Sequence, residues 1–133
     1  MRLKFTLLAA LMALSATASA DTLYAARTAC LEVIKVNPMQ LQLTVKGEAS
    51  TSGWTAAGLA PRTYEVPPED GILDLDFTAT RPTGIALTVI SPIGVKTQIE
   101  APEWLKGVRI HSKSGALELP LSNGVCTSDG LSY

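Results

Sequence analysis

Asp74 and Asp76, two carboxylates separated by a single residue, are the side chains in this sequence whose type and spacing most readily suggest chemistry, and Glu69 and Asp70 stand just before them. On an extended strand, side chains at i and i+2 share one face roughly 7 Å apart. That spacing suits a hard cation or a two-carboxylate hydrolase. It is equally common on a solvated sheet face, where carboxylates pair across strands with Lys or Arg. A calcium loop needs three or more oxygen ligands at close spacing. Asp74 and Asp76 are therefore weak metal candidates, and no cofactor is expected.

There is one histidine, His111, so neither a paired-histidine zinc site nor an H-E-x-x-H helix can exist. The G-x-S-x-G, Walker and G-x-G-x-x-G patterns are also missing. In Val108-Arg109-Ile110-His111-Ser112, alternation puts His111 with Arg109 on the face opposite Val108 and Ile110, which marks it as a solvated strand residue. A Ser-His-Asp triad is assembled in space rather than in sequence, yet no nucleophile stands out here. No catalytic residue is assigned, and the chain reads as a non-enzyme.

What remains is a candidate for contact. Ala49 to Pro61, ASTSGWTAAGLAP, reads as an irregular stretch of small residues carrying a lone Trp54. Loops of that length are uncommon in compact domains and are often functional. An exposed Trp54 could stack on a sugar or fill a partner's pocket; folded back, it would seal one end of the core. Arg62 and Tyr64 follow on an expected strand and would form the polar and aromatic rim of the same surface.

These residues need a scaffold and a compartment. Met1 to Ala20 has a basic start at Arg2 and Lys4, an apolar run from Phe5 to Leu14, and small residues at Ala18-Ser19-Ala20. This is the pattern of a secretory signal peptide, and its apolar run is too short to span a bilayer. Cleavage after Ala20 is expected to leave one domain, residues 21–133, in the periplasm or secreted, with no membrane insertion. Of the 11 Lys and Arg, Arg2 and Lys4 lie in the removed segment, so 9 basic residues face 12 acidic ones, a net charge of −3. Such a balance, without a basic cluster, argues against nucleic acid as partner.

Cys30 and Cys126 are the only cysteines, and in an oxidising compartment a lone pair forms a disulfide. Their position near the chain ends differs from the antibody-type immunoglobulin arrangement, in which the disulfide joins two central strands beneath a Trp. Clean period-2 alternation runs through Met39–Glu48, Ile72–Thr80 and Ala116–Leu121, the mark of antiparallel strands with one buried face. Leu31–Val36, Arg62–Val66, Gly84–Ile90, Val95–Glu100 and Gly107–Ser112 are further strand candidates, separated by Pro- and Gly-rich turns. Asp21–Thr28 could begin as a helical turn, and Pro102 to Gly107 has the Pro-first, Gly-last form of one short turn. Pro120 places the last alternating run at an edge or a bulge.

The expectation is an all-β fold, a small antiparallel β-sandwich or barrel of about 7–8 short strands stapled by one disulfide. The expected function is binding, with an envelope protein or a glycan as partner. A secreted-protease or lysozyme inhibitor is the alternative, using Pro61–Pro67 and Pro92–Pro102 as loops. A carboxylate-dependent hydrolase and a purely structural envelope protein are the remaining readings.

Overall fold

The computed structural model describes residues 20–129. Apart from Ala20, the expected signal peptide lies outside them, as do residues 130–133. Two packed sheets make the fold, and among the described residues there is no helix. The strands are β1 (Ala20–Thr22), β2 (Ala25–Val36), β3 (Met39–Ala49), β4 (Thr55–Pro61), β5 (Ile72–Thr80), β6 (Ser91–Glu100), β7 (Gly107–Ser112), β8 (Gly115–Pro120) and β9 (Val125–Ser128).

The alternating runs dictate the layers. On β5, Leu73, Leu75, Phe77 and Ala79 are buried while Asp74, Asp76, Thr78 and Thr80 face outward. On β3, Leu41, Leu43 and Val45 are buried against them. Leu31 from β2, Val108 and Ile110 from β7, and Leu117 and Leu119 from β8 join this core. Each fully buried Leu, Ile or Phe contributes roughly 1.5–3 kcal/mol by leaving water. Among the described residues no polar or charged side chain is buried, so every charged group is confined to the outer faces and loops.

The second sheet runs β6-β3-β2-β9, antiparallel throughout. The first is organised around β5. Thr80 pairs with both Ala20 of β1 and Thr55 of β4, and Leu75 pairs with both Ile110 of β7 and Pro61 of β4. Strand β4 therefore lies along one edge of β5, while β7 and β1 share the other end to end. The β5–β7 pairing is parallel, a departure from the antiparallel expectation. After β5 the chain crosses to the second sheet as β6, then returns through a turn and re-enters beside β5 in the same direction. That turn carries the bond from Leu105 N–H to the Pro102 carbonyl, 3.1 Å, where a short turn was expected. Pro120 ends β8, the edge strand next to β7, a position that tolerates the missing N–H.

Several boundaries differ from expectation. Asp21–Thr28 holds the end of β1 and the start of β2, not a helical turn, because Leu23, Ala25 and Ala26 are drawn into the core and the Leu23 N–H bonds the Phe77 carbonyl at 2.8 Å. Most of the expected Ala49–Pro61 loop is β4, bulged between Thr55 and Gly58 with Ala56 at φ 55°. Arg62–Val66 and Gly84–Ile90 are not strands. Pro92–Pro102 is not a loop: β6 fills it to Glu100, paired along its length with β3.

Cys30 and Cys126 form a disulfide between directly opposed residues of β2 and β9, 96 positions apart in sequence. It lies within one sheet, unlike the immunoglobulin bridge between sheets, and fixes a four-residue edge strand. Gly47 sits where β3 meets the bulge of β2; a Cβ there would stand 2.0 Å from the Ala25 carbonyl oxygen. Two outcomes are expected in denaturant titrations. Gly47→Ala lowers stability by about 3 kcal/mol or more, since the obstacle is backbone and cannot yield. Replacing both cysteines by Ser costs about 2–5 kcal/mol.

Candidate functional site

The parallel register sets Asp74 beside Arg109 and Asp76 beside His111, and the β7–β8 register sets Arg109 opposite Glu118. All of these point away from the core, because their neighbours Leu73, Leu75, Val108, Ile110 and Leu119 point into it. The chain leaving β4 then folds over the same face. The Arg62 N–H bonds the Asp74 carbonyl at 2.9 Å, which brings Arg62 and Tyr64 across β5.

Asp74 is the centre of the resulting network. Its Oδ1 accepts from Arg109 Nη1 at 3.1 Å and lies 2.7 Å from His111 Nε2. Its Oδ2 accepts from the Tyr64 hydroxyl at 2.7 Å, and that hydroxyl in turn accepts the Asp74 backbone N–H at 2.9 Å. The Tyr64 ring meets Trp104 edge to face, with centroids 5.9 Å apart. One tyrosine thereby fastens the β4–β5 connection to β5 and to the turn before β7. Beside it, Arg62 donates to both oxygens of Asp76, from Nε at 3.1 Å and from Nη2 at 2.8 Å. Arg109 also reaches Glu118 at 3.3 Å and Asp70 at 3.7 Å.

The electrostatics follow from these contacts. Burial pushes the Asp74 carboxyl up, but the bonds from His111, Tyr64 and Arg109 outweigh it and hold the group below the usual carboxylate range. The Arg62 fork holds Asp76 low against a smaller effect of burial. Burial, then the bond to Asp74, pushes the Tyr64 hydroxyl up. A glycosidase-type general acid requires a carboxyl shifted upward, and both shifts here run the other way. The oxygens that a cation would need are engaged by the chain's own Arg62, Arg109, Tyr64 and His111.

The three residues expected to form one binding surface are not together. Arg62 and Tyr64 belong to the network just described, outside any strand. Trp54 stands before β4, beside the far end of β5, roughly 20 Å away along the strand at about 3.3 Å per residue. It is half-buried against the core and donates its Nε1–H to the Thr51 hydroxyl at 2.9 Å. His111 is likewise half-buried rather than freely solvated, drawn in by Asp74.

Two features escaped the sequence reading. Arg27, on β2, joins Glu48 of β3 at 2.9 Å and Asp129 after β9 at 2.6 Å, and its guanidinium lies 5.9 Å from the Tyr24 ring centre. At the Trp54 end, segment 81–90 carries apolar side chains into solvent: Ile85 is fully exposed, Leu87 67%, Val89 50% and Ile90 52%. It is tied to the Trp54 loop through Ser52, whose N–H bonds the Leu87 carbonyl at 3.0 Å and whose hydroxyl accepts the Leu87 N–H at 2.9 Å. Gly53, at φ 88°, lets the backbone pass Pro82; a Cβ there would stand 2.9 Å from that ring. The signal was present in the sequence as an uncharged run from Pro82 to Val95, but Gly84–Ile90 within it read as a strand.

The network makes a pH prediction. Asp74 and Asp76 have folded-state values below their unfolded ones, so their stabilisation is complete above the unfolded value of about 4 and is lost as pH falls through the folded values. Melting temperature should fall below about pH 4, and Asp74→Asn should be less stable at neutral pH with a shallower acid slope. An unchanged slope would show that Asp74 is not the linked group. Comparisons of the chain with protein-family models, with curated proteins and with solved structures find no match.

Proposed function

We propose that this is an exported binding module that engages an envelope protein through segment 81–90, in the periplasm or outside the cell. One observation carries the reading: Ile85, Leu87, Val89 and Ile90 present a run of aliphatic side chains to solvent on a segment without charge from Pro82 to Val95. Scattered exposed apolar residues are ordinary, but a run of this kind marks an interaction surface. Aliphatic groups give up water favourably to another apolar protein surface, whereas a glycan is held by stacked aromatic rings and polar side chains. The choice therefore falls on a protein partner.

The contact region remains the end of the sandwich where Trp54 sits, but Trp54 acts as the support on which the loops rest. Arg62 and Tyr64 hold the distant network and take no part in contact. The disulfide and the signal-peptide pattern support export. Among the described residues no helix is long and apolar enough to cross a membrane.

The test uses the purified protein as bait against the envelope fraction of its own source. Leu87→Asp and Val89→Asp should each weaken capture of the partner at least about tenfold, the scale of an interface hot spot. Because both side chains are exposed, stability should shift by no more than about 0.5 kcal/mol. Trp54→Ala should do the reverse, lowering stability while the remaining folded fraction still binds. Capture that survives both Asp substitutions would overturn the reading.

A further inference from the structure

Strand β6 is the longest strand with an unpaired edge among the described residues: it bonds to β3 on one side and to no strand on the other, and β4 of the first sheet packs against it without pairing. An open ladder of this length is a template for another strand, and its own sequence states which strand fits. The Ala101 N–H donates to the Met39 carbonyl at 2.9 Å, one step beyond the Gln40–Glu100 pair. Hydrogen-bonded and non-bonded pairs alternate along an antiparallel ladder. The odd-numbered residues of β6 thus direct their backbone groups to β3, and Gly94, Lys96, Gln98 and Glu100 direct theirs to the free edge.

The side chains sort in the same way. Ile93, Val95 and Ile99 pack half-buried against the core, while Lys96, Gln98 and Glu100 stand exposed on the outer face. Neither Lys96 nor Glu100 takes part in an ion pair among the described residues. We propose that β6 is the seam of a two-fold homodimer, in which two copies of this chain join their second sheets by antiparallel pairing centred on Gln98.

In that register each Lys96 lies opposite Glu100 of the other copy, and Gln98 lies opposite its own counterpart. The outward backbone groups of Lys96, Gln98 and Glu100 then make about six hydrogen bonds across the seam. Pro102, which has no N–H, falls opposite Gly94 and ends the ladder at both ends. Other registers use the same backbone groups but lose the charge match: centring on Lys96 puts two ammonium groups face to face, and centring on Thr97 sets Lys96 against Gln98 and Glu100 against Gly94. Opposite charges directly across a sheet stabilise the pair and like charges oppose it. An isolated Lys in mid-edge deters indiscriminate strand addition, and here only the matching register neutralises it. The seam also covers the half-exposed flanks of Val95, Thr97 and Ile99.

Sedimentation velocity on the purified protein, from about 10 µM to about 1 mM to cover a small interface, tests this. The expected result is a concentration-dependent monomer–dimer equilibrium. Lys96→Glu or Glu100→Lys should weaken dimerisation at least about tenfold, by placing like charges opposite each other twice. The double variant carrying both reversals should regain the wild-type constant within about threefold. Circular dichroism of each variant shows that the fold is kept, as expected for exposed side chains. A monomer throughout that range, single reversals that dimerise like wild type, or a double variant that stays weakened would each overturn the proposal.

Discussion

The burial of one face of β5 is the constraint on which the rest of the molecule depends. Once Leu73, Leu75, Phe77 and Ala79 are committed to the core, the period of two leaves Asp74 and Asp76 no option but the solvent face. That face is crossed on both sides, by the chain leaving β4 and by β7, so the two carboxylates sit where Arg62, Tyr64, Arg109 and His111 converge. The charge network is a consequence of packing, and its geometry would be lost with a one-residue slip of β5, which would exchange its buried and exposed sets.

Tyr64 shows how a connection without regular hydrogen bonding is kept in place. A loop has backbone groups to satisfy and few neighbours with which to do so. Here a single hydroxyl both accepts and donates toward Asp74, while its ring leans on Trp104. The aromatic pair and the carboxylate act on different parts of one side chain, so the loop is fixed in both direction and depth. A similar economy holds at the other end of the sandwich, where Ser52 turns both its backbone N–H and its hydroxyl on Leu87.

Much of this was legible in the sequence, and the reasons it was legible are specific. β3, β5 and β8 alternate apolar residues with polar ones, and that pattern has one physical solution. The cysteine pair and Pro120 were equally plain. β4 was not, because Thr-Ala-Ala-Gly-Leu-Ala-Pro has no apolar period and is bulged at Ala56. Segment 84–90 misled in the opposite direction: its composition is that of a strand, but it pairs with no strand edge and is tied to the fold through Ser52 instead. The site was harder still. Asp74 and Asp76 were visible as a pair, but Arg109 and His111 join them only through a parallel register that no local pattern encodes, and Trp54 was separated from Arg62 and Tyr64 by a strand that the sequence did not announce.

The link between Cys30 and Cys126 has a further bearing on how the domain withstands a protease. It closes a ring of chain that contains β3 to β8 and every long connection, including the loops around Trp54 and Leu87. A protease that severs any one of those exposed turns opens the ring without dividing the molecule, since both pieces stay joined through sulfur. The domain can thus be nicked once and remain a single particle, with its sheets still held in register by the uncut remainder of the ladder.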